Sequence, residues 1–370
     1  MNGIVDRPIR AIVWGPGNVG GGVLREILKL PEYELVGVLT FGDSKVGLDA
    51  GELAGAGATG VIVTNDRDAV IALDADVVFH TPMTTPADEM DGDVVRLLRS
   101  GKNVVSATSY HYPPLKGADY VAKLEAACRQ GNASLHGTGI HPNFFIERLG
   151  LTLTGICTRI KHMKFAEIVN NSDAADSPLR RSLGYGMDPA DFVPGNTAYE
   201  NTRRYYEESL QLSAVMLFGE RLDRIEYRPM PIPAKEDLEL PKRSYKKGTI
   251  AEFRHIFVGY IGDEPKLTME ECWHLGEYNS NPYPDAKSSN YYKIEIEGEP
   301  CSLSMELGYC ASIENGTERW PNDPTQPPYY ATAVTMLQAA PIVCAAAPGL
   351  VYPKVWAHYA SDLRTLASGS

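Results

Sequence analysis

Gly15-Pro16-Gly17-Asn18-Val19-Gly20 is the stretch whose chemistry is plainest. It stands between an apolar run, Ile9 to Trp14, and a stretch in which Val23, Leu24, Ile27 and Leu28 recur at helical spacing. The first glycine permits a tight turn, the second lets a pyrophosphate approach the backbone, and the third lets helix and strand pack closely. The helix start at Asn18 and Val19 offers N–H groups and a partial positive charge to the phosphates. Loop and setting together predict a dinucleotide site. A tight turn without a ligand is the alternative.

The choice of dinucleotide turns on the end of the second apolar run, Leu35 to Thr40. A site selective for NAD has an Asp or Glu there, about twenty residues beyond the loop, to bond the ribose 2′-hydroxyl. Here the chain reads Thr40-Phe41-Gly42-Asp43-Ser44-Lys45, and no acid ends the run. Ser44 and Lys45 suit a 2′-phosphate, so the reading leans to NADP over NAD, with Asp43 weighing the other way. The alternative for Lys45 is a solvated loop lysine. Further cofactor contacts are expected where later strands end, at His80-Thr81-Pro82-Met83 and at Ser106-Ala107-Thr108.

The elements that must position these residues repeat one pattern. Short apolar runs at Ile9–Trp14, 35–40, 61–64, 76–80, 103–107 and 134–138 alternate with helical periods, two of them stopped by Gly101 and Gly131. Such alternation predicts an α/β fold with a doubly wound parallel sheet covered on both faces. After about residue 145 the texture changes. The stretches 249–261, 266–278, 291–297 and 301–309 read as antiparallel strands, and 197–218 as a long helix. Residues 321–328 look like a proline-rich linker, followed by an apolar helix over 330–346 that should pack back on the first domain.

Composition removes several function classes. The formal net charge of −12 and the lack of a Lys/Arg block exclude a general nucleic-acid binder. The hydrophobic fraction is 44% and the charged fraction 22%, which excludes disordered and fibrous classes. No Cys pair has C-x-x-C spacing and none sits near a histidine in a zinc pattern, so neither a metal site nor a disulfide framework is expected. No apolar stretch is long enough to span a membrane. Ile9 already opens a strand, which leaves no room for a targeting segment and predicts a cytoplasmic location.

Several stretches carry a family resemblance: VWGPGNVG at 13–20, KVGLDAGELAG at 45–55, TGVIVTND at 59–66, NVVSATS at 103–109, GTGIHPNFFIERL at 137–149 and APGL at 347–350. The sequence resembles the 2,4-diaminopentanoate dehydrogenase and native amine dehydrogenase group, itself related to dihydrodipicolinate reductases. The resemblance implies a Rossmann domain over 1–145, an α+β substrate and dimerisation domain over 146–328, and a C-terminal helical segment over 329–370 returning to the first domain. It also implies a homodimer, and hydride transfer between NAD(P)H and an imine carbon of a small molecule. The family places a catalytic glutamate just after the fifth strand. Here that place reads Thr108-Ser109-Tyr110-His111, and His141 stands where the family has an asparagine.

Hydride delivery to C=O or C=N leaves negative charge on the heteroatom, and a positioned donor must supply the proton. Tyr110, His111 and His141 are the candidate catalytic residues, because they follow the fifth and sixth strands and carry suitable donors. A wall or packing role is the alternative for each. Three functions stay open: an amine-dehydrogenase-like oxidoreductase, a ketone/alcohol oxidoreductase without an ammonia step, and a dinucleotide-binding protein without turnover.

Overall fold

Six apolar runs separated by helical stretches assemble into one parallel sheet. The computed structural model describes residues 7–82, 91–108, 110–172, 182–240, 243–276, 290–308 and 327–368. The chain forms two compact units, and the first comprises Met1–Phe144 and Pro324–Pro353. Its strands are β1 (Ile9–Trp14), β2 (Tyr33–Leu39), β3 (Val63–Thr64), β4 (Val77–His80), β5 (Asn103–Ser106) and β6 (Ser134–Gly137). Their order is 3-2-1-4-5-6 with every pair parallel, and the short strand Gly349–Leu350 adds beside β6. Five helices run between them: α1 (Asn18–Ile27), α2 (Ala50–Ala54), α3 (Arg67–Ala72), α4 (Asp91–Arg99) and α5 (Ala118–Gly131).

Successive β1 side chains feed opposite cores, as a period of two requires. Ala11 and Val13 pack with Val23, Leu24 and Ile27 of α1. Ile12 and Trp14 pack with Leu97 and Leu98 of α4 and Leu124 of α5. The late helix Pro327–Cys344 places Ala333, Met336, Leu337 and Ala340 in the α1 core. Strand order reverses between β1 and β4, so the loops leaving their C-terminal ends part there and leave a crevice. Among the described residues no helix is long and apolar enough to cross a membrane.

The second unit comprises Phe145–Asp323 and Lys354–Ser370. It contains β7 (Arg159–Asn170), β8 (Arg224–Pro233), the hairpin β9 (Leu238–Leu240) and β10 (Arg243–Tyr245), then β11 (Ile250–Ile261), β12 (Glu264–His274), β13 (Asn290–Glu299) and β14 (Leu303–Gly308). Its six-stranded sheet has the order 14-13-7-12-11-8. Where the sequence suggested antiparallel strands only, β7 and β12 run parallel. β7 was not expected at all, because Lys161, Lys164 and Glu167 interrupt its apolar alternation. The helix α6 (Thr197–Phe218) begins at Asn196, whose side chain accepts from Ala198 N at 2.8 Å. It lays Tyr206 against the rings of Phe257 and Trp273.

One boundary differs from the reading of 329–370 as a single segment returning to the first domain. Lys354–Ser370 cluster with the second unit. The Tyr359 N–H donates to the Thr154 hydroxyl at 3.0 Å, and its ring meets Phe218, which holds this stretch on the second unit.

Candidate functional site

The glycine loop is clamped at two points and open at a third. Gly15 has φ +101°, and a β-carbon there would lie 2.8 Å from the Thr81 carbonyl oxygen. At Gly20 a β-carbon would overlap the Gly15 carbonyl and the Thr81 hydroxyl. That hydroxyl donates to the Gly15 carbonyl at 2.8 Å, tying the loop to the end of β4. A β-carbon on Gly17 would meet nothing within 4 Å. Gly17 and Asn18 are exposed, Val19 is half-buried against the α1 core, and no side chain caps the start of α1. Open space against uncapped helix N–H groups fits a pyrophosphate.

The β2 end is cationic. Thr40 is buried and its hydroxyl donates to the Gly42 carbonyl at 3.4 Å, while Ser44 is exposed. The Lys45 ammonium donates to the Pro16 carbonyl inside the glycine loop. Burial, and then the charge of Arg25, lower its pKa. Sequence reasoning missed Arg25, which reads there as an ordinary last-turn helix cation. Its guanidinium folds back beside Gly21, and its Nε donates to the Tyr330 hydroxyl at 2.7 Å. Asp43, the acid that weighed towards NAD, accepts from Asn65 Nδ2 at 3.1 Å.

A polar chain crosses the ends of β4 and β5. His80 Nδ1 and Ser106 Oγ are 3.0 Å apart, and Ser106 Oγ and Thr108 Oγ1 are 3.0 Å apart. Burial brings His80 down to about 3, so its ring is neutral at physiological pH. Thr81 and Pro82 are buried beside it in the chain. Met83 and Ser109 lie outside the described residues.

The three candidate donors part company. Tyr110 is buried at φ +83°, a strained conformation for a side-chain-bearing residue. Its hydroxyl donates to Asp91 Oδ1 at 2.9 Å, and the same carboxylate accepts from Tyr120 at 2.8 Å and Lys123 at 3.1 Å. His111 is buried among histidines. Burial first, then the charges of His136 and His141, take it down to about 3. His136 holds the Val351 carbonyl at 2.8 Å. His141 is half-buried on the stretch after β6. Asp91 escaped sequence reasoning because an acid opening a helix reads as dipole compensation.

The second unit carries an acidic pair that sequence reasoning also missed. Glu167 on β7 and Glu271 on β12 are direct register neighbours, and their carboxyl groups hydrogen-bond. Glu167 also accepts from Tyr292 at 2.6 Å and Trp273 Nε1 at 2.9 Å. Burial pushes Glu271 up to about 7, so the pair shares one proton in the physiological range. Tyr205 is buried and pushed up by desolvation and by the charges of Glu167, Glu208, Glu271 and Glu147. Glu147 accepts from Ser209 at 2.6 Å. A signal existed: Phe165-x-Glu167-x-Val169 and Met269-x-Glu271-x-Trp273 each set an acid on an apolar strand face.

Comparison with known proteins bears on the fold and the class of activity. No family model matches the chain. An amine dehydrogenase of Streptomyces virginiae is 29% identical over 303 residues, covering 79% of this chain and 83% of that one. The chain is a dinucleotide-dependent oxidoreductase that is similar to amine dehydrogenases. A 2,4-diaminopentanoate dehydrogenase of Acetoanaerobium sticklandii is 25% identical over 274 residues, covering 71% of this chain and 75% of its own. The solved amine dehydrogenase of Mycobacterium smegmatis superposes with a TM-score of 0.73 at 21% identity, over 94% of this chain and 95% of that one. The resemblance seen in the VWGPGNVG and GTGIHPNFF stretches thus extends over most of the chain, with the same fold.

Proposed function

We propose that the protein uses NADP(H) to interconvert a small amine with its imine or ketone. The observation that carries the reaction is the buried, proton-sharing pair Glu167–Glu271. Reductive amination needs a carboxylate to hold ammonium charge and manage its protons, and the place after β5 offers Thr108, Tyr110 and His111 instead. The second unit supplies carboxylates of the required character, held by Tyr292 and Trp273. In this reading the first unit binds the dinucleotide and the second the substrate. We also propose that the protein is a cytoplasmic homodimer; light scattering tests the dimer and cell fractionation the location. The reaction itself is tested by following NADPH oxidation with a ketone panel, with and without ammonium. An amine product that requires ammonium is expected. An alcohol formed at the same rate without ammonium overturns the reading. It would leave the ketone/alcohol oxidoreductase, which the missing acid after β5 favours.

The 2′-phosphate is assigned to Lys45 and Arg25. Two like charges drawn together beside the glycine loop are relieved by an anion, and Asp43 is engaged by Asn65. Lys45→Ala should raise the KM for NADPH about tenfold, the effect of losing one half-buried charge-assisted contact, and leave that for NADH unchanged. Equal loss with both cofactors would remove the assignment.

A bound nicotinamide supplies the hydride, and the chain's own residues handle the proton. We assign the donor to His141. His111 stays neutral beside it, because burial and neighbouring histidines disfavour a second imidazolium. Tyr110 fixes the loop through Asp91. His141→Ala should lower kcat about a hundredfold, the lower range for a general acid. Tyr110→Phe should leave kcat nearly intact but lower stability by about 1 kcal/mol, read as a fall in Tm. A large kcat loss in Tyr110→Phe with unchanged Tm would return the acid role to Tyr110.

A further inference from the structure

Two cysteines meet at one end of the second unit's sheet. β7 and β13 pair antiparallel as far as Arg159 opposite Glu299, and Cys157 and Cys301 each lie two residues beyond that last pair. The Cys157 Sγ lies 3.5 Å from the Cys301 carbonyl oxygen, and the Cys301 Sγ lies 3.8 Å from the carbonyl oxygen of Ile156. Each thiol therefore rests on the backbone of the other's segment. A β-carbon on Gly298 would lie 2.8 Å from the Cys157 Sγ and 3.2 Å from the Cys301 carbonyl oxygen, so both cysteines gather around one point. Both thiols are free, with Cys157 buried and Cys301 exposed. The other described cysteines lie elsewhere: Cys128 on α5, Cys272 on β12 and Cys344 at the end of the late helix.

We propose that Cys157 and Cys301 are a redox modification site, closing a reversible intrachain disulfide by exchange with a small disulfide such as oxidised glutathione. The exposed Cys301 thiolate attacks one sulfur of the small disulfide. That S–S bond breaks, a Cys301 mixed disulfide forms, and one small thiolate leaves. The Cys157 thiolate then attacks Cys301 Sγ and expels the second. Two protein thiols are oxidised, the small disulfide is reduced to two thiols, and the protons released by the cysteines end on those thiols. Burial and the neighbouring Cys301 push the Cys157 thiol up, which sets the order of attack. The bond would join β7 to β13, whose Glu167 and Tyr292 are themselves register partners. It would close a long loop, the case in which chain-entropy stabilisation is largest.

The test treats the full chain with oxidised glutathione and reads intact mass, a non-reducing peptide map and Tm. Expected are the loss of two hydrogens, a Cys157–Cys301 peptide, and a Tm higher by several degrees that dithiothreitol reverses. Cys157→Ser should instead retain a glutathione adduct on Cys301, and Cys301→Ser should form neither product. A persistent adduct on Cys301 in the wild type overturns the proposal. So does a linked peptide running through Cys310 or any other cysteine, or a wild-type chain that stays fully reduced.

Discussion

Gly17→Ala should weaken dinucleotide binding about a hundredfold while lowering Tm only slightly. An added methyl group at Gly17 meets nothing within 4 Å, but the backbone there, at φ −84° and ψ −148°, lies outside the regions alanine prefers. The folded protein notices the change only through that local strain, about 1 kcal/mol. A pyrophosphate does, because the second glycine of such a loop is where phosphate reaches the backbone. Pushed away by one methyl, it loses a charge-assisted hydrogen bond worth roughly 1.5–3 kcal/mol. Gly20→Ala is the contrast. Its β-carbon would overlap the Gly15 carbonyl and the Thr81 hydroxyl, so Tm and binding should fall together. Calorimetric titration of NADPH alongside thermal melts separates the cases. A folded Gly17→Ala protein with undiminished affinity would show that phosphate does not dock at this loop.

In the second unit, Glu271→Gln should make the protein more stable than wild type at alkaline pH, by roughly 3 kcal/mol. The figure follows from a folded pKa moved from 4.5 to about 7 by burial. A carboxyl raised in the folded state contributes stability that is complete below its unfolded pKa and is lost as pH rises through the folded value. The advantage of Glu271→Gln should therefore open above about pH 4.5 and be complete by about pH 8, seen as a difference in Tm of roughly 6–12 °C. Glutamine preserves the shape and the contact with Glu167, so packing loss does not obscure the sign. The same variant should raise the KM for ammonium about tenfold and leave that for NADPH unchanged, as removal of one charge from an amine-binding pair would. A Tm difference independent of pH would refute the shared proton. An unchanged ammonium KM would remove the pair from the reaction and leave its titration standing.

How much of this was legible in the chain differs by element. The first unit could be read closely: β1 coincides with the run Ile9–Trp14, and the other five strands fall within a few residues of their runs. Strands buried on both faces must be apolar throughout, and turns between them need Gly or Pro, so local composition carries the fold. α6, expected over 197–218, coincides with Thr197–Phe218, bounded by Asn196 and Gly219. β7 could not be read this way. It is the strand on which β12 and β13 both pair, yet its alternation is broken by charges whose partners lie on other strands: Lys164 and Glu270, Glu167 and Tyr292.

The glycine loop, a dinucleotide and a hydride-transfer family were determined by sequence alone, because each rests on residues within one turn of another. The roles of Tyr110, His111 and Asp91 were decided by tertiary structure. Residues 91 and 110 lie nineteen apart in the chain, and only the packing of α4 against the end of β5 engages that hydroxyl. The same holds for Glu167 and Glu271. Each alone is an acid on an apolar strand, a local conflict with no stated purpose. Side by side in parallel register, out of water, they become one group with one proton, and desolvation, which no sequence window contains, creates that property.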